Sequence, residues 1–351
     1  MRVMLPTPVV PLRFIQYMFS NKLRHLCQLV LSVSSLWAAT SDPKPPGKLI
    51  QFDGHRLHMN CTGKGNPTVV VENGLGDFSF DWTLVQSRTS IFTRICSYDR
   101  AGYAWSEPGP KPRTFAQINL ELRDALAKLG ERGPFVLVGH SFGGSVVRNF
   151  ALTYPHEVAG MVLVDAAFEG QRVGIGEKRT IRLGEGAKGM SIPPPHEAMT
   201  ESNKPSAQLY KPPAQPLDPM YSVLPPNAQK WQVWAQSRPE LEDAENSQRE
   251  WSGEYFAKWL VTQQAGTLGA IPLIVLTRAE GGYRDGDADV PAAQMEKERQ
   301  EGQAKLALLS TNGKQVIVQS GHNMELQAPD DVAAAIREVV DAVRHRSKPS
   351  R

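Results

Sequence analysis

Phe135-Val136-Leu137-Val138-Gly139-His140-Ser141-Phe142-Gly143-Gly144-Ser145 is the stretch on which the reading of the fold turns. Four apolar, strand-forming residues run into a glycine. A serine then stands between glycines two positions before it and two after it, and Ser145 to Thr153 follows without a helix breaker. That order spells a strand, a sharp turn and a helix, the context in which G-x-S-x-G has a physical meaning. The serine is held on a strained turn and its hydroxyl is presented at the end of the strand. Gly139 and Gly143 carry no Cβ, so strand and helix can close up around it. A helix starting at Ser141 turns its N-terminal N–H groups and its dipole toward negative charge that develops there. A chance match inside a glycine-rich loop would lack the strand before and the helix after.

Working outward, the 351 residues are 41% hydrophobic and 21% charged, ordinary values for a globular chain with a sizeable core. The formal charge of +3 belongs to the N-terminus, where Arg2, Arg13, Lys22 and Arg24 stand in the first 39 residues without an acid. Without those four, 39 basic residues become 35 against 36 acidic ones. No nucleic-acid or anionic-membrane partner is implied. Lys22 and Arg24 precede an apolar stretch, Leu26 to Ala39, followed by small residues, Ala38-Ala39-Thr40-Ser41, and by polar, Pro-rich Asp42-Pro43-Lys44-Pro45-Pro46. This is the order of a secretory signal, so residues 1–41 are expected to be a leader and the protein secreted or periplasmic. The apolar run of about 14 residues is short for a bilayer span; an uncleaved leader that tethers the protein is the other reading. Met1 and Met18 are both open as the start, and Cys27 is not read as a lipid-bearing cysteine.

Downstream, the chain alternates short apolar runs with helical patterns. Strands are expected at Lys48–Phe52 and Arg56–Asn60 around an Asp53-Gly54 turn, at Thr68–Glu72, at Thr93–Tyr98 and at Gly160–Ala166. Helical spacing of Ile118, Leu122, Ala125, Leu126 and Leu129 predicts a helix over Gln117–Leu129, ended by Gly130. The next strand, Ile271–Thr277, comes roughly 105 residues after Ala166, far beyond a usual connection. The intervening segment begins rich in glycine and proline (Pro193-Pro194-Pro195, Pro212-Pro213, Pro225-Pro226) and reads as helical from Asn227 to about Gln264. Its second half carries Trp231, Trp234, Trp251, Tyr255, Phe256 and Trp259. A helix to about Leu309, a strand at Gln315–Gln319, Ser320-Gly321-His322 and a helix over Pro329–Arg344 complete the pattern. No internal repeat and no metal-spaced His/Cys cluster is read. Gly74-Leu75-Gly76 lacks the lysine of a phosphate loop.

With its G-H-S-F-G-G elbow, the chain resembles the α/β-hydrolase superfamily over roughly residues 48–345. The resemblance implies an α/β fold: a mostly parallel eight-stranded sheet flanked by helices, with a helical cap insertion. The core would be 48–165 and 271–346 and the cap 166–270. It also implies a Ser…Asp/Glu…His order. Ser141 would be the nucleophile and His322, in the S-G-H turn before the last helix, the base. His55, His58, His140, His156, His196 and His345 lie at the wrong positions for that role. Asn73-Gly74-Leu75-Gly76 sits where the family places a second oxyanion donor, so the N–H groups of Leu75 and Phe142 would form the oxyanion hole. Tyr98-Asp99-Arg100-Ala101-Gly102-Tyr103-Ala104-Trp105-Ser106 matches a family loop whose work is structural.

The acid is the open point. In many members it follows the penultimate strand, where this chain has Gly281; Glu280, Asp285 and Asp287 are off register. In others it ends the strand after the elbow helix, which is Asp165. Asp165 is taken as the acid and Glu280 as the alternative. Strands two and four neighbour each other in the family's order, so Cys61 and Cys96 either form a bridge or remain two buried thiols. The implied activity is cleavage of a carboxylic ester through an acyl-enzyme on Ser141, needing no cofactor and no obligatory protein partner. Its substrate would be a small molecule with an apolar acyl group. Amidase, aminopeptidase, C–C hydrolase, cofactor-free perhydrolase and a catalytically silent ligand-binding relative share the pattern. Serine at the elbow argues against epoxide hydrolases and dehalogenases, which use aspartate there.

Overall fold

Short apolar runs pair into one eight-stranded sheet whose order is β1-β2-β4-β3-β5-β6-β9-β10. The strands are β1 (Lys48–Gln51), β2 (Arg56–Thr62), β3 (Val69–Glu72), β4 (Ile95–Tyr98), β5 (Phe135–His140), β6 (Val158–Val164), β9 (Leu273–Arg278) and β10 (Gly313–Val318). β1 with β2 and β2 with β4 are antiparallel; all other pairs are parallel. This is a computed structural model, and it describes residues 42–175, 179–205, 215–279, 281–284, 286 and 289–346. The chain divides into two compact units, Met1–Lys44 and Pro45–Arg351, and the sheet and the candidate site belong to the second. The expected leader (1–41), Pro212-Pro213, Glu280, Asp285 and Asp287 lie outside the described residues.

β3, β5 and β9 are buried at every position because helices cover both faces of the sheet. Side chains alternate between two cores with the period of a strand. Phe135, Leu137, Met161 and Leu163 join Leu122, Leu126, Val147 and Phe150 on one face. Those partners come from α2 (Phe115–Lys128) and α3 (Phe142–Thr153). Val136, Val138, Val162 and Val164 join Trp82, Val85, Val332, Ile336 and Val340 on the other. There the cover is α1 (Thr83–Thr89) and α7 (Pro329–Arg346). Each fully buried Val, Leu or Phe contributes about 1.5–3 kcal/mol of apolar transfer, so the double layer holds the central strands, and the loops at their C-terminal ends, in fixed register. α6 (Ala292–Ala307) packs on β9 and β10.

Several strand ends shift by one or two residues from expectation, and two helix starts differ as well. α2 begins at Phe115 rather than Gln117, since the Thr114 hydroxyl accepts the Gln117 N–H at 3.0 Å and caps the helix two residues earlier. The elbow helix begins at Phe142, with Ser141 as its N-cap.

The segment between β6 and β9 holds more than the expected helices. A hairpin, β7 (Arg172–Ile175) with β8 (Arg179–Arg182), comes first. The single helix expected from Asn227 to about Gln264 is two, α4 (Pro226–Gln236) and α5 (Pro239–Thr262), because Pro239 occupies the first turn of a new helix and cannot continue the old one. Trp231 and Trp234 pack on Trp105 of the core at ring separations of 5.1 and 5.2 Å. Tyr255, Phe256 and Trp259 surround Phe115. These aromatics seal the cap's underside against the sheet domain.

Cys61 and Cys96 face each other in the β2–β4 ladder and are joined by a disulfide. No helix among the described residues is long and apolar enough to cross a membrane.

Candidate active site

Ser141 sits between β5 and α3 with φ +49° and ψ −118°, a conformation that an L-residue adopts only under strain. Three backbone hydrogen bonds hold it there: its N–H donates to the Val164 carbonyl at 3.1 Å, and its carbonyl accepts from Gly144 (3.1 Å) and Ala167 (2.8 Å). Close approach explains the glycines. A Cβ on Gly143 would stand 2.3 Å from the Glu72 carbonyl oxygen and 2.5 Å from that of Asn73, and one on Gly139 2.7 Å from the Gly144 Cα. The elbow is thereby pressed against the loop after β3.

That loop is tied down from below. Arg100, fully buried, donates to Glu72 (2.8 Å), to the Asn73 carbonyl (2.7 Å) and to the Gly74 carbonyl (2.5 Å). Its Nε donates to Gln248 of α5 at 3.1 Å, so the same guanidinium links this loop to the cap. Asp99 accepts from the Ser79 N–H at 2.8 Å and pairs with His58 at 2.7 Å. The Asp99–Ser106 stretch therefore braces, as expected. Among the described residues neither the Leu75 nor the Phe142 N–H has a hydrogen-bond partner, and both side chains belong to the Phe115–Tyr255–Trp259 aromatic cluster.

Asp165 follows β6, also at positive φ (+37°). Its N–H donates to the Leu276 carbonyl at 2.8 Å, and its Oδ2 lies 2.7 Å from Nδ1 of His322. Two arginines not anticipated from the sequence complete its surroundings: Arg299 of α6 donates to Oδ1 at 2.9 Å, and Arg278, at the end of β9, lies 3.6 Å from Oδ2. Burial favours the neutral acid, but His322, Arg278 and Arg299 outweigh it and hold the Asp165 carboxyl below its usual range. His322 is held below the ordinary imidazole value, by burial first and by the charge of His140, against the pull of Asp165. The structure thus brings Asp165 and His322 together. Among the described residues it records no hydrogen bond from the Ser141 hydroxyl to the His322 ring; such bonds often tighten only with substrate in place. Glu280 lies outside the described residues.

Beside His322 lies a second histidine, His140, the residue before the serine. It is buried, with Asp77 at 2.9 Å from Nδ1 and the backbone carbonyl of His322 at 3.0 Å from Nε2. Glu325 is 3.9 Å from Nε2. Asp77, His140 and Glu325 converge closely enough to suggest a metal site. Both ring nitrogens of His140, however, are already engaged, Nδ1 by Asp77 and Nε2 by the His322 carbonyl, which leaves no ring lone pair for an ion, so the trio is read as an ion-pair cluster. Cys61, Cys96 and Glu131 also converge, but both sulfurs are spent in the disulfide. A surface cavity of about 660 Å³ between Phe168, Trp259, Leu260 and Leu308 has none of the candidate residues in its wall.

Comparison with known proteins agrees with this architecture. A family profile described as "Alpha/beta hydrolase family" matches residues 69–335. The epoxide hydrolase CorEH superposes with a TM-score of 0.55 at 15% identity, over 85% of this chain and 99% of that one. A thermophilic esterase from Thermogutta terrifontis gives 0.55 at 18% identity, over 84% and 99%. At these identities the likeness is one of fold. Among curated sequences, "Probable transporter efuK" of Hormonema carpetanum is 31% identical over 147 residues, 40% of this chain and 21% of that protein. The chain spans less than half the length of the curated relatives it matches.

Proposed function

The chain belongs to the alpha/beta hydrolase family, and on that premise we propose that it is a serine hydrolase cleaving carboxylic esters through an acyl-enzyme on Ser141. The observation that carries the reading is the Asp165–His322 hydrogen bond at 2.7 Å, placed at the sheet edge where β5 delivers Ser141 in a strained turn. His322 takes the serine proton as the hydroxyl attacks the ester carbonyl and returns it to the departing alcohol. Water then cleaves the acyl-enzyme with His322 as base again. Asp165 orients the ring and supports its charge. The unengaged N–H groups of Leu75 and Phe142 would stabilise the tetrahedral oxyanion, each such donor being worth about 3–4 kcal/mol elsewhere. No step needs a cofactor. A hydroxyl nucleophile gives an ester intermediate that water opens at its carbonyl, which favours acyl transfer over the epoxide chemistry of one fold neighbour. The aromatic cluster behind Phe142 suits an apolar acyl group, and the Cys61–Cys96 bridge suits an oxidising compartment, in keeping with secretion.

The test is hydrolysis of a p-nitrophenyl ester series of increasing acyl length, with Ser141→Ala as control and covalent labelling by a fluorophosphonate in parallel. Turnover and labelling that both vanish in the variant support the reading. Labelling of Ser141 without turnover of any ester replaces the ester by an amide or C–C substrate, and absence of both points to a ligand-binding relative.

A further inference from the structure

The Asp77–His140–Glu325 cluster has no part in the chemistry above, yet it touches the base directly. The His140 and His322 rings stand 4.7 Å apart, and His140 Nε2 meets the His322 backbone carbonyl. A carbonyl oxygen only accepts, so Nε2 must carry a proton. The partner of Nδ1 is the Asp77 carboxylate, held below its usual range because His140, His322 and Arg100 outweigh its burial. An ionised carboxylate also only accepts, so Nδ1 must carry a proton as well. Two acceptors on opposite ring nitrogens leave the imidazolium as the form that satisfies both.

Resting on the serine-hydrolase reading, we propose that His140 is a positioning residue for the base: a buried imidazolium that pins the His322 turn through its backbone carbonyl and, as a fixed positive charge beside the His322 ring, keeps that ring unprotonated and able to accept the Ser141 proton. The surroundings fit. Burial opposes a charge on His140, but Glu325 and Asp77 prevail and push its value up to about 10. The groups facing His140 are Asp77 after β3, Trp82 at 6.5 Å between ring centres, Glu325 on the short helix Met324–Gln327, the His322 turn, and Asp165 as a more remote charge. Those facing His322 are Asp165, Arg278 and His140, with the Asp77 carboxylate behind His140 as a further negative charge. Asp165, and Asp77 from farther off, favour a protonated base; His140 and Arg278 oppose it. His140 reaches the base from the nucleophile strand itself, so one short stretch delivers the serine and sets the charge of the group that activates it.

Gly74 is part of this device. A Cβ there would stand 2.2 Å from Asp77 Oδ2 and 2.9 Å from His140 Nδ1, so the oxyanion loop can cross the pair only as glycine.

The experiment reads protonation apart from turnover. Imidazole ¹⁵N spectra of the wild-type protein should show both His140 nitrogens protonated at neutral pH, and a neutral His140 there overturns the proposal without any variant. His140→Gln keeps an N–H donor for the His322 carbonyl and removes the charge; His140→Lys keeps a charge. In His140→Gln the His322 titration and the acid limb of kcat/KM should both move up by about one unit, the scale of a lost neighbouring charge, and His140→Lys should recover part of that shift. A fall in kcat that is uniform across pH, with the His322 titration unmoved, would make His140 a packing residue only. If the hydrolase reading itself is wrong, wild-type Ser141 fails to label with the fluorophosphonate, while the His322 titration still tests His140.

Discussion

Two histidine–carboxylate pairs stand side by side at this sheet edge, and they carry opposite charge logic. His322–Asp165, at 2.7 Å, has a ring whose side chain is 39% exposed and a carboxylate shared with Arg299 and Arg278. His140–Asp77, at 2.9 Å, has a ring 1% exposed and a second carboxylate, Glu325, on its other nitrogen. Burial alone would make the deeper ring the more neutral one. The reverse holds, because the surplus of charge around each pair decides. At the outer pair burial, with the charges of His140 and Arg278, outweighs Asp165 and leaves His322 below its ordinary value. Two carboxylates converge on His140, and it is lifted to about 10. Identical side chains thus become a base ready to take a proton and a cation that does not give one up.

The comparison can be broken most forcefully at the outer pair. Asp165→Asn should lower kcat about 10⁴-fold with folding unchanged, because an amide stabilises the wrong tautomer of His322 and supports no imidazolium. A loss of only a few fold would move the acid to the loop after β9 and dissolve the contrast. Gly74→Ala strikes the inner pair and the oxyanion loop together; the loss of one aligned donor should lower kcat about 10²–10³-fold, with a smaller change in KM. Arg299→Gln sharpens the charge account. Asp165 would keep its bond to His322 but lose its closest cation, so the carboxylate acts on the ring undiluted. The sign is a raised His322 value, seen as an acid limb of kcat/KM displaced upward by about one unit. A downward displacement would mean that Arg299 does not act through Asp165.

Both members of the outer pair can be named from the sequence through the family resemblance: His322 from S-G-H before the last helix, and Asp165 from the end of the strand after the elbow helix, with Glu280 as the alternative acid. The proposed donor loop is likewise named from the resemblance, at Asn73-Gly74 where a buried strand ends. The inner pair was not legible. His140 reads as a spacer between Gly139 and Ser141, and its partners Asp77 and Glu325 come from segments 63 residues before it and 185 after it. Arg299 likewise sits on an unremarkable helical pattern, and only the packing of α6 on β9 aims it at Asp165, 134 residues away. The hairpin Arg172–Arg182 escaped because four-residue strands containing Gly174 carry too little alternation to register as strands. Contacts that span the chain leave no periodicity and no motif, and charge balance is made almost wholly of such contacts.

The smallest expected effect isolates the inner pair. A group whose folded value is raised lends stability that is fully present below its unfolded value and is lost as pH rises through the folded one. For His140 those values are 6.5 and about 10, so its contribution declines across that interval. Glu325, raised to about 7, gives the same sign at lower pH, since the unfolded chain releases that proton from 4.5 upward. His322 and His55, both lowered, act oppositely, but only below 6.5. Asp165 and Asp77, both lowered, have no further effect well above 3.8. Between pH 7 and 10, therefore, the free energy of unfolding should fall with rising pH in the wild type, and the slope should flatten in His140→Gln, where no imidazolium remains to be lost. Urea unfolding at a series of pH values measures the slope directly. A wild-type curve that is flat through this interval would mean that the inner ring is neutral, and the two pairs would then differ in burial but not in charge.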